Sequence, residues 1–177
     1  MKEKIEKKRQ TNNTLLGEHF EQVAWVVPDI EKSAKFFQET MGVPRFLKME
    51  NLQSRDLEGT YKGQPSDFKF HLYLSMSGET MLELIQPVSG KSMYTDFLAK
   101  HKNGGIQHIA YAVQVTAFEN AVNQLKSKGY SVSQSLVLPV ASVAYFDTYK
   151  EIGVATEIIG LTEAGNQLIE QLHTGNY

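Results

Sequence analysis

The amino-acid sequence predicts an α+β fold in which two tandem modules each run strand, helix and three strands (βαβββ). Two observations support this prediction: both halves have strand and helix periodicities in the same order, and two strand segments occur twice. The first repeated segment is QVAWVV at 22–27. It resembles HIAYAV at 108–113 position by position, including the small Ala24 and Ala110.

The second repeated segment is TMLELIQP at 80–87, which resembles VATEIIGL at 154–161 and aligns Glu83 with Glu157. Two matched strands with a matched helix between them are hard to explain as coincidence. The repeat divides the chain into a polar N-terminal arm, a first module, a connecting segment, a second module, and a C-terminal helix with its tail, at 1–17, 18–90, 91–105, 106–161 and 162–177.

The elements of the first module follow from its periodicity and its stop signals. HFEQVAWVVP (19–28) alternates into a short apolar run and ends at a proline, which is typical of a strand. A helix is predicted at 30–41, because apolar residues recur at helical spacing between Asp29, a candidate N-cap, and Gly42, a candidate stop. Three more strands are predicted, with a polar connection after the first of them, at 45–49, 68–76 and 79–87, the connection being 50–67.

The second module repeats this order. A strand at 106–113 is followed by a helix at 117–130 that ends at Gly129. Three further strands are predicted at 131–138, 142–149 and 153–160. The last segment predicts a C-terminal helix at 162–172, which Thr162 can cap.

Composition excludes several classes of function. The net charge of -2 and the pI near 6.2 lack the basic excess of a nucleic-acid-binding surface. The absence of cysteine excludes disulfides, thiolate catalysis and cysteine-based zinc sites. The charged start has no secretory signal, and no apolar run approaches the roughly 20 residues of a membrane span. We therefore expect a cytoplasmic protein that acts on a small molecule, without nucleic-acid or membrane partners.

Side chains alternate across a strand, which assigns two faces to the repeated first strands. The bulky face, with Trp25 in the first module and Tyr111 in the second, is expected to pack on the helix of its module. The other face carries small residues beside Gln22 and His108. We expect this second face to line an open concave surface with room for a ligand.

Glu83 and Glu157 each stand in mid-strand between aliphatic neighbours, where an unpaired carboxylate is costly to bury. Two equivalent glutamates suggest a shared cause, and one divalent ion on the internal twofold axis is the simplest. It would take one ligand from the first strand and one from the last strand of each module, which adds Gln22 and His108. This donor set suits Zn, Ni, Co, Mn or Mg.

Three further residues are candidates for contact with the substrate. Tyr145 and Asp147 lie on one face of a predicted strand, where they either orient a substrate or end the strand at a turn. His71 faces either the cleft or the solvent, and the sequence leaves both orientations open.

The segment VPDIEKSAKFFQETMG (27–42), with an apolar strand before it and ELIQP (83–87) after it, resembles the vicinal-oxygen-chelate superfamily. That superfamily includes glyoxalase I, methylmalonyl-CoA epimerase, extradiol dioxygenases and antibiotic-binding resistance proteins. The resemblance covers residues 18–161 and implies paired modules that curve into an open barrel around a metal cleft. It also implies a homodimer, and it places the metal ligands at Gln22, Glu83, His108 and Glu157.

The ligand set discriminates among the reactions of the superfamily. The iron site of extradiol dioxygenases consists of two histidines and one carboxylate. In this sequence Gln22 stands where the first of those histidines would be. The set of Gln, Glu, His and Glu is instead similar to that of zinc-type glyoxalase I. The positions at which that enzyme holds glutathione correspond to Val26, Pro87 and Gly104, so that glutathione is disfavoured as a substrate.

The resemblance therefore implies an epimerase-like lyase or isomerase that abstracts a proton next to a carbonyl through a metal-stabilised enolate. Glu157 would be the base. The metal ligands of methylmalonyl-CoA epimerase are similar to a set of His, Gln, His and Glu. This sequence differs from that set at its first two positions, Gln22 and Glu83. The alternative is a protein of the bleomycin-resistance type that binds a drug or metabolite without catalysis.

Overall fold

Ten strands form one continuous sheet within residues 16–177, the part of the chain that the computed structural model describes. The strands lie at Phe20–Val26 (β1), Leu47–Gln53 (β2), Thr60–Tyr61 (β3), Gln64–Pro65 (β4), Lys69–Ser77 (β5), Thr80–Ser89 (β6), Gly105–Gln114 (β7), Val132–Val137 (β8), Ala141–Phe146 (β9) and Ala155–Leu161 (β10). The α-helices lie at Ile30–Met41 (α1), Met93–Lys100 (α2), Val115–Ser127 (α3), Tyr149–Ile152 (α4) and Glu163–Thr174 (α5), and 3-10 helices at Leu16–His19 and Ser54–Leu57. Most of the predicted N-terminal arm lies outside the described residues.

The strand order confirms the predicted fold of two βαβββ modules. The first half of the sheet runs β2-β5-β6-β1 and the second runs β8-β9-β10-β7. In each half the first strand pairs in parallel with the last one, β1 with β6 and β7 with β10. The halves join where β1 pairs antiparallel with β7. The mixed sheet thereby curls into a half-barrel, with one concave face shared by both modules.

The strand register makes the two halves equivalent. Across the central joint, Gln22 pairs with Ala110 and Ala24 pairs with His108, so that the two pairs exchange under a twofold rotation. In the first module Ala24 also pairs with Glu83. In the second module its counterpart Ala110 pairs with Glu157. The repeat that was predicted from the sequence is therefore confirmed in the pairing.

The helix of the first module forms as its sequence predicts. Asp29 caps α1 by accepting a hydrogen bond from the backbone N–H of Lys32 at 2.9 Å. Gly42 ends the helix in the left-handed conformation, with φ of 71°, which costs little without a side chain. Ile30 and Ala34 face a core layer that also contains Trp25, as expected for the bulky face of β1.

The polar connection at 50–67 is more ordered than the sequence predicts. It contains the short hairpin β3-β4, which turns at Lys62 and Gly63 with φ of 52° and 75°, as a tight hairpin requires. The hairpin crosses to the other module, where Thr60 pairs with Ser135 of β8 and their hydroxyl oxygens lie 2.7 Å apart. The connection thus extends the sheet of the second module.

The segment 91–105, predicted only as a connection, contains α2. Ser92 caps this helix in a reciprocal capping box with Thr95. Met93, Tyr94 and Phe97 are buried in the large core cluster on the concave face, where they fill part of the half-barrel.

The predicted C-terminal helix is α5, and it covers the concave face that the sequence predicts to be open. Thr162 caps it by accepting from the backbone N–H of Gly165 at 3.2 Å. Ile169 and Leu172 are buried in the same core cluster as the sheet residues. Within residues 16–177, no helix combines the length and apolar character that crossing a membrane requires. The covering by α5 turns the open surface into a partly covered cleft, which we define as the space between the concave face and α5.

Candidate metal centre

Four adjacent central strands each place one predicted ligand on the concave face. Gln22 lies on β1, Glu83 on β6, His108 on β7 and Glu157 on β10. These four residues, hereafter the polar cluster, are each no more than 5% exposed. The structure therefore brings all four together within one chain, at a depth that water reaches poorly.

The distances within the polar cluster are those of side chains that share one centre. His108 Nε2 lies 3.1 Å from Glu83 Oε2 and 3.2 Å from Glu157 Oε2. The amide Nε2 of Gln22 donates to the same two carboxylate oxygens at 3.0 and 3.2 Å. A 180° rotation of this amide would present its oxygen to the centre in place of its nitrogen, which a metal ligand requires.

A β-bulge orients His108 from behind. The register of β7 against β1 shifts between His108 and Ile106, which leaves Gln107 as the extra residue. Gln107 is fully buried, and its Oε1 lies 2.7 Å from His108 Nδ1. If His108 donates its Nδ1 proton to this oxygen, Nε2 keeps its lone pair for the centre of the cluster.

A tyrosine of α4 holds Gln107 in turn. Gln107 Nε2 donates to the hydroxyl of Tyr149 at 2.9 Å, and that hydroxyl donates to the backbone oxygen of Gln107 at 3.1 Å. The hydrogen bonds from Tyr149 through Gln107 to His108 lie behind the imidazole ring, away from the cleft. They therefore hold the ring in its orientation towards the cleft.

Two buried tyrosines stand beside the polar cluster. The ring of Tyr145 packs edge-on against His108, with centroids 5.1 Å apart, and Tyr94 donates its hydroxyl proton to the hydroxyl oxygen of Tyr145 at 2.9 Å. Burial, together with the nearby Glu83 and Glu157 carboxylates, raises the pKa of both phenols well above the usual value. Both tyrosines are therefore neutral hydrogen-bond donors.

Burial and mutual attraction control the charges of the polar cluster. Burial raises the pKa of Glu83, against the hydrogen bond from His108 that favours the ionised carboxylate. Burial also opposes a charged imidazole, but the charge of Glu157 and hydrogen bonds to Glu157 and Glu83 prevail and raise the pKa of His108 to about 9. A positive charge beside these carboxylates therefore stabilises their ionised form.

The polar cluster fits a divalent cation in donor chemistry and in spacing. Glu83, His108 and Glu157 offer ligand atoms that all lie within 4.8 Å of one another. Ligands about 2.1 Å from one ion lie about 3.0–3.4 Å apart, which is close to the distances observed around His108. Two carboxylates also balance the charge of a divalent ion in a buried site.

The other predicted contact residues are distributed differently. Tyr145 lines the cleft beside Glu157. Asp147 instead accepts a hydrogen bond from the backbone N–H of Tyr149 at 3.3 Å and lines a separate surface pocket. His71 lies on the opposite face of β5 from the cleft-lining Leu72, and its Nδ1 accepts from the backbone N–H of Asn51 at 3.0 Å. The strand alternation thus directs His71 away from the cleft.

Sequence reasoning missed Gln107, Tyr149 and Tyr94. Regular alternation assigns Gln107 to the helix-side face with Ile109, and only the bulge turns it towards His108. A polar residue next to a predicted ligand is a weak signal that could have prompted this assignment. No local pattern marks Tyr94 or Tyr149, because their partners lie 51 and 42 positions away in the chain.

The chain belongs to the Glyoxalase/Bleomycin resistance protein/Dioxygenase superfamily, whose family model matches residues 21–145. The matched range includes Gln22, Glu83 and His108. Among curated proteins, the mitochondrial methylmalonyl-CoA epimerase of Mus musculus is 28% identical over 106 residues. This match covers 60% of the chain and 51% of the mouse protein, so that the chain spans about half the length of the curated relatives it matches.

Solved structures support the same fold. Methylmalonyl-CoA epimerase from Mycobacterium tuberculosis superposes with a TM-score of 0.57 at 17% identity, covering 90% of this chain and 98% of that one. A single-residue variant of the Streptomyces coelicolor enzyme, solved with 2-nitronate-propionyl-CoA, has a TM-score of 0.55 at 17% identity and covers 81% and 94%. At these identities the likeness establishes the glyoxalase-like fold.

Proposed function

We propose that this protein is a divalent-metal-dependent isomerase or lyase that abstracts a proton next to a carbonyl of a small molecule. The observation that carries the proposal is the convergence of two carboxylates, an imidazole and an amide in one buried cluster at the cleft. An isolated buried pair of glutamates would be costly, and a bound cation gives the pair a reason to exist. The similarity to methylmalonyl-CoA epimerases supports an epimerase-like reaction.

Gln22, Glu83, His108 and Glu157 would hold the ion. A divalent ion supplies Lewis-acid chemistry, because it attracts electrons from substrate oxygens and lowers the energy of an enolate. Zn, Ni, Co or Mn would suit this mixed nitrogen and oxygen set. The side-chain oxygen of Gln107 and the ring of Tyr145 keep His108 in place without binding the ion themselves.

Glu157 is the proposed base. Within residues 16–177, the carboxylates that line the cleft are those of Glu83 and Glu157, so that the base is one of these two. Glu157 lies on β10, which pairs with β9, where Tyr145 stands directly opposite it. A substrate that contacts Tyr145 therefore lies within reach of the Glu157 carboxylate, which would accept its proton.

Tyr145 is the proposed hydrogen-bond donor to the substrate. Its hydroxyl oxygen already accepts the proton of Tyr94, which leaves its own proton available for an oxygen in the cleft. Donation to a carbonyl oxygen would stabilise the negative charge that develops when the proton leaves. Tyr94 thus acts as a positioning residue for Tyr145.

The runner-up function is non-catalytic binding of a drug or metabolite, which the apolar walls of the cleft would also suit. Metal content separates the two functions. An ion bound at one equivalent after purification without chelator favours the enzyme, and a metal-free protein that binds an aromatic ligand favours the binder.

A homodimer and a cytoplasmic location stay predictions. The polar cluster takes all four groups from one chain, so that a dimer is not needed to complete it. Light scattering on the purified protein would measure the oligomeric state.

The decisive experiment compares Glu157→Gln with Glu83→Gln. Each change keeps an oxygen donor at the centre, so both variants should retain metal to a similar extent. Deuterium exchange from solvent into acyl-CoA thioesters, 2-oxo acids and hydroxyketones, followed by NMR with each candidate metal, measures proton abstraction. We expect Glu157→Gln to lose about 10²–10⁴-fold in exchange rate and Glu83→Gln much less. Equal losses would contradict the assignment of Glu157, and no exchange by the metal-loaded wild type would contradict the enzyme.

A further inference from the structure

The walls of the cleft are apolar everywhere except at the polar cluster and Tyr145. Its side walls come from β5, β8 and β10, through residues such as Phe70, Leu72, Leu136 and Ile159. Among the described residues, no lysine or arginine lines the cleft. A negatively charged group placed against these walls would lose its hydration without gaining a cationic side chain as a partner.

The last helix closes the cleft and limits its size. Leu168, Ile169 and Leu172 of α5 face the sheet across the cavity. The volume of the cleft is about 80 Å³, compared with about 300–1,000 Å³ for pockets that hold drug-sized ligands. The cleft is therefore small as well as apolar.

Both ends of α5 are attached to the body of the protein. At its start, a side-chain carbon at Gly165 would lie 2.2 Å from the backbone oxygen of Val140, so that the helix approaches the turn before β9 as closely as a glycine allows. At its end, Arg45 of the first module donates to the backbone oxygen of Gly175 at 3.2 Å, and its guanidinium lies over the ring of Tyr177, 4.7 Å from the centroid. The helix thus bridges the two modules across the cleft.

The charge of the polar cluster also argues against an anionic substrate. Glu83 and Glu157 together neutralise a divalent ion, so that a loaded cluster has no excess positive charge to attract a third carboxylate. An uncharged carbonyl compound loses less hydration and can still present its oxygens to the cluster. A second oxygen on the neighbouring carbon would allow it to contact both the cluster and Tyr145.

We propose that the substrate is a small, uncharged α-hydroxyketone with an apolar remainder, and that the reaction inverts its carbinol carbon. This inference rests on the proposed function and specifies its substrate. The carbinol C–H proton passes to the carboxylate of Glu157, and the electrons of that bond form the C=C bond of an enediolate as the carbonyl oxygen takes up negative charge. The enediolate is planar at the former carbinol carbon. When it turns its other face to Glu157, the same carboxyl group returns the proton there and gives the other enantiomer, with no other reactant consumed.

The test uses 3-hydroxybutan-2-one and lactate, which differ mainly in a methyl ketone against a carboxylate. Isothermal titration calorimetry of the metal-loaded protein measures their affinities, and NMR in deuterated water measures exchange at the carbinol carbon. Methylmalonyl-CoA is the third probe. We expect 3-hydroxybutan-2-one to bind and exchange at least tenfold better than either acid. Equal or better binding of lactate or methylmalonyl-CoA would overturn the inference, as would no binding of 3-hydroxybutan-2-one.

Two variants of α5 test whether this wall determines the specificity. Leu168→Lys should reverse the preference and strengthen lactate binding at least tenfold, while Gln167→Lys, which adds the same charge at an exposed neighbour, should leave it unchanged. Leu168→Ala should admit the longer 5-hydroxyoctan-4-one, which the wild type binds poorly. Unchanged preferences in folded Leu168 variants would overturn the role of α5. Binding of 3-hydroxybutan-2-one without exchange would support the substrate class and contradict the proposed function instead.

Discussion

The two modules match in strand order and register, but they support their cleft residues differently. Both have a register shift just before the ligand position, which leaves Glu21 as the extra residue in β1 and Gln107 in β7. Glu21 is half-buried, whereas Gln107 is fully buried and contacts the ring of His108. The shared scaffold therefore places the ligands, and in the second module the fully buried Gln107 also orients its ligand.

The difference between Glu21 and Gln107 explains why the imidazole lies in the second module. An imidazole binds a metal well only in the correct tautomer and ring orientation, which its outer hydrogen bond determines. A glutamine ligand needs only the rotation of its amide. The asymmetry between Gln22 and His108 thus matches the asymmetry between the residues that precede them.

The largest expected effect comes from making the modules alike. His108→Gln gives both modules the same ligand, and we expect metal affinity to fall by more than about 100-fold, because a lost ligand should cost more than a lost outer partner. Competition with a chelator of known affinity measures the change. Circular dichroism checks that the variant is folded.

The double variant Gln22→His with His108→Gln moves the imidazole into the first module. There the residue before it is the half-buried Glu21 in place of the fully buried Gln107, so we expect affinity about 10–100-fold below that of the wild type. Wild-type affinity in the swapped protein would mean that the two modules support a histidine equally well, which contradicts the comparison.

A comparable effect is expected from the outer partner alone. Gln107→Leu removes the acceptor for His108 Nδ1 and should lower metal affinity about 10–100-fold. Gln107→Glu keeps an acceptor at this place and should recover most of the loss, which a purely structural role would not explain. The matched change Glu21→Leu in the first module should have a much smaller effect. Equal losses in the two leucine variants would remove the distinction between the bulges.

The fold could be predicted from the sequence because its signals are local. The apolar spacing of α1, its cap at Asp29 and its stop at Gly42 all lie within fourteen residues, 29–42. The polar cluster could be predicted because the repeat aligns its residues in pairs, Gln22 with His108 and Glu83 with Glu157. A pair at equivalent positions is stronger evidence for a site than any one of these residues is by itself. A repeat supplies long-range information that a single strand does not contain.

The remaining features depend on contacts that no local pattern encodes. The bulge at Gln107 interrupts the alternation from which the faces of the strand were predicted. The helix α2 is only eight residues long, so that its apolar residues give too short a helical pattern to be recognised. The position of α5 over the cleft follows from packing of Leu172 and from the anchor at Arg45, far away in the chain. Periodicity predicts that a helix forms, but it does not determine where the helix packs.

The smallest expected effect concerns the helices that support the two halves. The side chain of Asp29 caps α1, whereas Gln114, at the matching place before α3, makes no side-chain cap. Asp29→Ala should therefore lower the free energy of unfolding by about 1 kcal/mol, measured by urea titration of circular dichroism. Asp29→Asn keeps the acceptor oxygen and should preserve most of the stability. If Asp29→Asn lost as much as Asp29→Ala, the negative charge at the start of the helix would stabilise α1, and the hydrogen bond to Lys32 would not.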